Sequence, residues 1–181
     1  MKNIEYKAEL RDPDLARAIA RQIDASLVVR VQQTDTYFNV ATGRVKKRES
    51  VVIGPAMATP ELVEYIVYDR PNRIEPRASD FSLLTEAEMK VRFGLKRLPV
   101  WLTVSKIREL WMWRSVRIHL DKVDHLGWFF EIESLVGTPD DEDHARLLAD
   151  QIRITFAPAL GEPVAGSYSD LLAQHHELDP N

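Results

Sequence analysis

The 181-residue sequence contains no cysteine. It can therefore form neither a disulfide nor a thiolate metal site, an absence that fits a cytoplasmic protein. It also lacks any apolar run of about 18 residues, the length that a membrane-spanning helix requires. The chain enters an alternating pattern at once, without the apolar segment of a signal peptide. We therefore expect a cytoplasmic protein with no membrane association.

An excess of basic charge is lacking as well. The formal net charge is −4, whereas nucleic-acid-binding proteins usually carry a basic surplus, so a nucleic-acid partner is disfavoured. Hydrophobic residues make up 45% and charged residues 29% of the chain, which is ordinary for a globular protein. The length favours one domain over residues 1–181. A local basic site remains compatible with this net charge.

Alternation of polar and apolar residues predicts seven strands, at residues 3–10, 27–40, 44–52, 61–70, 100–111, 115–124 and 128–136. Helices are predicted from a cap at Asp12 to about Ala25, after the capping box Thr85–Glu88, and over about 140–156 and 167–174. Glycine and proline predict loops at 54–60 and 71–84. Consecutive strands joined by short turns favour an antiparallel sheet in an α+β fold.

Within the stretch Trp128–Ser134 (WFFEIES), Glu131 and Glu133 point to the same side of the predicted strand, about 7 Å apart. Basic residues share one side of other strands, as in Lys46 with Arg48 and Lys106 with Arg108. The alternation alone favours a charged face that lies in water. A barrel with these charges inside is the alternative, and it requires every buried ion to be paired.

Nine short motifs, met in order along nearly the whole chain, resemble those of the CYTH superfamily, the triphosphate tunnel metalloenzymes. They are N-x-E-x-K (3–7), D-T-Y-F (35–38), G-R-V-K-K-R-E (43–49), Y-D-R (68–70), R-A-S-D-F (77–81), V-S-K-I-R (104–108), I-H-L-D-K-V (118–123), L-G-W-F-F-E-I-E (126–133) and S-Y-S-D-L-L (167–172). Their order looks most like the class IV adenylyl cyclase branch, with thiamine triphosphatase as a cousin. The resemblance implies an antiparallel, roughly eight-stranded closed barrel, open at both ends, with charged residues inside and helices outside.

The resemblance also implies roles for individual residues. Hard divalent ions, Mg²⁺ or Mn²⁺, would be held by the carboxylates Glu5, Asp121, Glu131 and Glu133. Phosphate groups would be held by Lys7, Lys46, Arg48, Arg70, Lys106, Arg108 and Arg117. The catalytic set would be Glu5, Lys7, Asp121 and Glu133, with Asn3, His119 and Arg77 as accessory residues. Seven cations against four acids leave an excess of three, which suits a triphosphate with its metal ion.

Asn3 departs from the family pattern, because the family has glutamate at this position. An asparagine carbonyl can still ligate a cation, but it carries no charge. We therefore expect one metal position to be weaker in this chain.

Three functions follow from these residues. The leading one is a class IV adenylyl cyclase, which converts ATP to cyclic AMP and pyrophosphate. A triphosphatase acting on tripolyphosphate, thiamine triphosphate or a nucleotide is the alternative, since both reactions use the same phosphate contacts. A non-catalytic nucleotide or polyphosphate binder could dispense with the carboxylates, whose presence argues against it. Either a monomer or a homodimer is compatible with the sequence.

Overall fold

The computed structural model describes residues 2–54, 62–69, 72–94, 98–137 and 141–178, with side chains as far as residue 175. The strands of this part are β1 (Lys2–Leu10), β2 (Ser26–Phe38), β3 (Arg44–Gly54), β4 (Leu62–Asp69), β5 (Arg77–Leu84), β6 (Val100–Trp113), β7 (Val116–Val123), β8 (Gly127–Val136) and β9 (Leu160–Pro163). The α-helices are α1 (Pro13–Gln22), α2 (Glu86–Phe93), α3 (Glu142–Phe156) and α4 (Tyr168–Leu178).

Eight of the strands form a closed antiparallel barrel. Their order is β5-β4-β3-β2-β6-β7-β8-β1, and β1 pairs with β5 to close the ring. The short strand β9 pairs with β1 beside the ring. The predicted α+β fold with a roughly eight-stranded barrel is thus confirmed. Because side chains alternate along every strand, each strand sends one set inward and the other outward.

One segment of the barrel differs from its sequence-based prediction. Residues 71–84 were expected to form a loop, but Arg77–Leu84 is the strand β5. This strand pairs with β4 along one edge and with β1 along the other. The serine and aspartate of R-A-S-D-F have only a weak preference for strands. Pairing along both edges hydrogen-bonds the backbone of this segment, so tertiary context outweighs that local preference. Of the loop predicted at 54–60, all but Gly54 lies outside the described residues.

Two helices cover the outward apolar side of the barrel. Asp12 caps α1 as predicted, because its carboxylate accepts hydrogen bonds from the first backbone amides. Helices α1 and α3 enclose the main core, which joins Ile4, Ile118, Leu120, Phe130, Ile132, Leu148, Ile152 and Phe156. The smaller α2 begins at the predicted Thr85–Glu88 capping box and ends at Gly94. The main apolar core therefore lies between the ring and these helices, outside the barrel.

Helix α4 lies at one end of the barrel. Its Tyr168 and Leu172 join four inward residues from the strand ends at that side, Tyr37, Val104, Val123 and Phe129, in a second apolar core. Helix α4 thus packs against the strands at this end of the barrel. No helix within the described ranges is both long and apolar enough to cross a membrane.

Candidate active site

A cavity of about 300 Å³ lies inside the barrel. Its lining comes from inward side chains of the eight barrel strands together with Ser167 and Tyr168 at the start of α4. The basic residues of the lining are Lys7, Lys46, Arg48, Lys106, Arg108 and Arg117, and the acidic ones are Glu5, Asp35, Glu64, Glu131 and Glu133. The charged faces therefore point into the barrel, and the interpretation that they lie in open water is wrong.

Asp35 is the centre of the first ionic cluster in the cavity. Its carboxylate accepts hydrogen bonds from Lys46 Nζ at 3.0 Å and from Lys106 Nζ at 2.8 Å. Arg48 donates to the same carboxylate through Nε at 2.7 Å and Nη2 at 2.8 Å. Three cations, of which Lys106 is fully buried, thus share one buried carboxylate, so the cluster keeps positive charge available for a phosphate group.

Asp35 was not among the site residues predicted from the sequence. One signal was available, because Asp35 lies within the motif D-T-Y-F on the same side of its strand as Gln33 and Tyr37. With Asp35 and Glu64 counted, the lining holds six cations and five carboxylates. The predicted excess of three positive charges is therefore reduced to one among the described lining residues.

The Asp35 cluster shifts the pKa of each of its members. Burial alone would raise the pKa of Asp35, but Arg48, Lys106 and Lys46 hold it well below its usual value. Burial, followed by the nearby Arg48, lowers the pKa of Lys46 to about 8 against the attraction of Asp35. Burial likewise lowers the pKa of Lys106 to about 7. Near neutral pH the two lysines are therefore poised to gain protons when a new anion enters.

We predict that triphosphate binding takes up protons near pH 8. The pKa of Lys106 is about 7 and that of Lys46 about 8, so much of the pair is neutral in the free protein at that pH. A bound polyanion favours the charged lysines, so binding should take up about one proton and should weaken from pH 7 to 9. Calorimetry of tripolyphosphate binding in buffers of different ionisation enthalpy measures the uptake. Proton release at pH 8 would contradict the prediction.

The same lysines give the ligand-free protein a stability that rises with pH. Both folded pKa values lie below the ordinary lysine value of 10.5, so the unfolded chain binds more protons between about pH 7 and 10.5. The stability that the two lysines contribute is complete above their pKa in the unfolded chain. It is lost as the pH falls through their pKa values in the folded protein. Protonation without a ligand therefore costs stability, and a bound anion removes that cost.

A second ionic cluster surrounds Arg108. Its guanidinium donates to both carboxylate oxygens of Asp121, at 2.7 and 2.6 Å, and through Nη2 to Glu131 at 2.7 Å. The Tyr168 hydroxyl donates to Asp121 at 2.7 Å. Both oxygens of Asp121 are thus engaged, and Asp121 is absent from the cavity lining. Asp121 orients Arg108 and fastens α4 to the barrel, and its expected role as a metal ligand stays a prediction.

Lys7 and Glu131 connect this cluster to the open cavity. Lys7 Nζ lies 3.5 Å from Glu131 and 3.9 Å above the centre of the Tyr168 ring. Burial alone would raise the pKa of Glu131, but Lys7, followed by His119 and Arg108, keeps it well below its usual value. Glu131 is consequently ionised at neutral pH, as a metal ligand must be.

Glu131 and two residues beside it offer ligand atoms for a cation. One atom each from His119, Glu131 and Glu133 lies within 4.8 Å of the others. His119 Nδ1 is 3.8 Å from Glu131, too far for a hydrogen bond, and it has no hydrogen-bond partner in the described part of the chain. Asn3 Oδ1 is also buried without such a partner in that part. These residues fit a divalent ion, since carboxylate and amide oxygens suit both Mg²⁺ and Mn²⁺.

The remaining predicted site residues are distributed around these clusters. Glu5 and Arg77 are both buried, and Arg77 Nη2 lies 3.0 Å from the Glu5 carboxylate. Arg117 lies 3.5 Å from Glu133 and is more open than the other five basic residues of the lining, with 40% of its side chain exposed. Arg70 lies outside the described residues. The structure therefore collects the described candidates inside one barrel, while their functional roles stay predictions.

The chain thus belongs to the class of closed antiparallel barrels that have paired charges inside and an apolar core outside. The family model for the CYTH domain matches residues 1–156. The chain therefore belongs to the CYTH family, and the resemblance seen in its motifs is confirmed.

Solved structures share the fold at low sequence identity. The PH1819 protein of Pyrococcus horikoshii OT3 matches with a TM-score of 0.67 and 20% identity, over 96% of this chain and 99% of that one. A candidate adenylate cyclase from Vibrio parahaemolyticus matches with a TM-score of 0.65 and 15% identity, over 94% of this chain and 97% of that one. A candidate adenylyl cyclase from Hippeastrum with a dominant triphosphatase activity matches with a TM-score of 0.58 and 12% identity, over 96% of each chain. No curated protein matches the sequence.

Proposed function

We propose that this protein is a divalent-metal-dependent enzyme acting on the phosphate chain of a triphosphate. The observation that carries the proposal is one small cavity that holds six cationic side chains beside a cluster of metal-ligating atoms. Cations alone would suffice for a binder of polyphosphate. Glu131 and Glu133 lower the affinity for a bare polyanion, so their presence inside the cavity favours chemistry that needs a metal ion.

Residues of the two clusters would contact the phosphates and hold the metal ion. Arg48 and Arg108 are held in fixed orientations by Asp35 and Asp121, so their guanidinium groups need little reordering when phosphate oxygens arrive. Lys46 and Lys106 supply charge that rises as the ligand binds. Glu131, Glu133 and His119 would hold Mg²⁺ or Mn²⁺, with Asn3 as a neutral neighbour. A divalent ion bound there would neutralise charge that develops on the phosphate chain.

The leading reaction is the conversion of ATP to cyclic AMP and pyrophosphate. In that reaction a ribose hydroxyl attacks the α-phosphorus, whereas in hydrolysis water attacks a phosphorus of the chain. Hydrolysis is the second candidate, because the Hippeastrum protein, which shares this fold, has a dominant triphosphatase activity. Both reactions need the same charge stabilisation, which the clusters around Asp35 and Arg108 would provide.

Product analysis separates these functions. The purified protein is incubated with ATP, thiamine triphosphate and tripolyphosphate, each with Mg²⁺ or Mn²⁺, and the products are resolved by chromatography. We expect cyclic AMP and pyrophosphate from ATP if the enzyme is a cyclase, and inorganic phosphate if it is a triphosphatase. Tight binding without any product under every condition would overturn the enzymatic proposal in favour of a binding protein.

A further inference from the structure

A second cavity, of about 650 Å³, lies where the chain enters β5 beside α3. Three arginines line it: Arg73 and Arg77 from the segment that leads into β5, and Arg146 from α3. We term this cavity the arginine pocket. None of the three lines the cavity inside the barrel, so the arginine pocket is separate from the site of the proposed reaction.

Arg77 forms the buried part of the arginine pocket, since the residue is only 3% exposed. Its Nη1 donates to the backbone carbonyl of Arg73, and its Nη2 lies 3.0 Å from the carboxylate of Glu5. Glu5 lines the cavity inside the barrel, so the Glu5–Arg77 pair stands between the two cavities.

One donor of Arg77 remains for a ligand. Its Nε is buried and has no hydrogen-bond partner among the residues that the structure describes. A buried charged donor without an acceptor is unfavourable, and such groups in native proteins commonly bind a water molecule or an ion. Because Arg77 is a cation beside a cavity, an anion supplies the strongest acceptor for this donor.

Acidic residues of the arginine pocket oppose an anion only weakly. Asp69, Glu75 and Asp80 also line it, so three carboxylates accompany the three arginines. All three acidic residues are exposed, and water and salt therefore screen their charges. The attraction of Arg77 for an anion is screened less, because Arg77 is buried and the effective dielectric constant around it is lower.

We propose that the arginine pocket is a second anion site, which binds inorganic phosphate through Arg77, with Arg73 and Arg146 at its rim. Arginine suits this ligand because the planar guanidinium group can donate two parallel hydrogen bonds to phosphate oxygens. Arg146 is held at the rim by donating through Nη1 to the carbonyl of Pro76 at 2.7 Å. This site goes beyond the proposed function and does not depend on it.

Phosphate binding is tested in protein whose barrel cavity is already occupied. The protein is loaded with an equimolar amount of tripolyphosphate in EDTA, and inorganic phosphate is then titrated by calorimetry at low salt. We expect a single phosphate to bind per chain. Arg146→Gln should weaken this binding about tenfold, the range of a lost charge-assisted hydrogen bond.

Arg153→Gln is the matched control on the same helix. Arg153 pairs with an acidic residue of α3, as Arg146 does, and its side chain is 39% exposed against 41% for Arg146. Arg153 does not line the arginine pocket, so its replacement should change the phosphate affinity less than about twofold.

Arg77→Lys tests the buried part of the arginine pocket. The substitution keeps a positive charge beside Glu5 but removes Nε, so it should weaken phosphate binding at least as much as Arg146→Gln does. Thermal melts of all variants show whether folding is kept. If Arg77→Lys unfolds, Arg73→Gln at the exposed rim replaces it.

The outcomes keep this inference apart from the proposed function. If the loaded wild-type protein binds no phosphate, or if the pocket variants bind it as tightly as Arg153→Gln, the arginine pocket is no anion site and the proposed function stands. If the wild-type protein does not bind tripolyphosphate, the proposed function fails, and the same comparison of variants without tripolyphosphate decides the inference. Weaker phosphate binding in the pocket variants alone supports the assignment.

Discussion

Replacement of Glu133 by glutamine is expected to reduce metal-dependent turnover at least about 100-fold, because the substitution removes one of the ionised groups that would hold the divalent ion. The protein should remain folded. The Glu133 side chain is 20% exposed and its ion-pair distance to Arg117 is 3.5 Å, so the exchange leaves a well-solvated cation. Glutamine also keeps nearly the same shape, and one acid fewer relieves repulsion between Glu131 and Glu133.

Titration with metal distinguishes two causes of the expected loss. If Glu133 contributes to metal affinity, raising the Mn²⁺ concentration should restore part of the activity. If it instead acts as a base, added Mn²⁺ should restore none. Steady-state rates are measured over a series of Mn²⁺ concentrations, with melting temperatures recorded in parallel.

Ser134→Ala is the matched control for this experiment. Ser134 adjoins Glu133 but points to the opposite side of β8, where it is fully buried, and its hydroxyl has no hydrogen-bond partner in the described part of the chain. Its loss should leave both activity and melting temperature nearly unchanged. Wild-type rates for Glu133→Gln at limiting metal would contradict a role of Glu133 in holding the ion.

The sequence was sufficient to predict which side chains share one face of each strand. Strand alternation is local, so the common face of Asn3, Glu5 and Lys7 on β1 could be deduced from parity, whereas only the family resemblance indicated that this face is the barrel interior. The closure of the barrel was harder to predict from the sequence, because β5 contains Ser79 and Asp80 and forms a strand only through its pairing with β1 and β4. Ordered motifs compensated for this weak local signal by indicating the barrel as a whole.

The pairing of charges inside the barrel could not be predicted in the same way. Asp35 and Lys106 are 71 positions apart, and their contact depends on the register between β2 and β6. The engagement of Asp121 depends on Tyr168, which α4 brings to the end of the barrel. The sequence therefore grouped Asp121 and Glu131 among the charged site residues, but it could not show that, of the two, only Glu131 borders the cavity.

Asp35→Asn is expected to destabilise the ligand-free protein by about 3–5 kcal/mol, the usual cost of removing one partner from a buried ionic cluster. Lys46, Arg48 and Lys106 would then repel one another around a neutral amide. The loss should be smaller at pH 9 than at pH 6. Without Asp35 the pKa values of both lysines fall further from about 8 and about 7, so both lysines are neutral at the higher pH.

A polyanion should reverse much of this destabilisation, since its phosphates can take the place of the missing carboxylate. We therefore expect saturating tripolyphosphate to stabilise Asp35→Asn more than it stabilises the wild-type protein. Urea unfolding at pH 6 and 9, with and without tripolyphosphate, measures both effects. Asp80→Asn is the control, because Asp80 is exposed on β5 and should give little change under any condition. If Asp35→Asn is no less stable than Asp80→Asn at pH 6, the three cations do not depend on Asp35. If its ligand stabilisation does not exceed that of the wild type, the bound triphosphate does not reach the Asp35 cluster, and the phosphates must lie nearer Arg108 and Arg117.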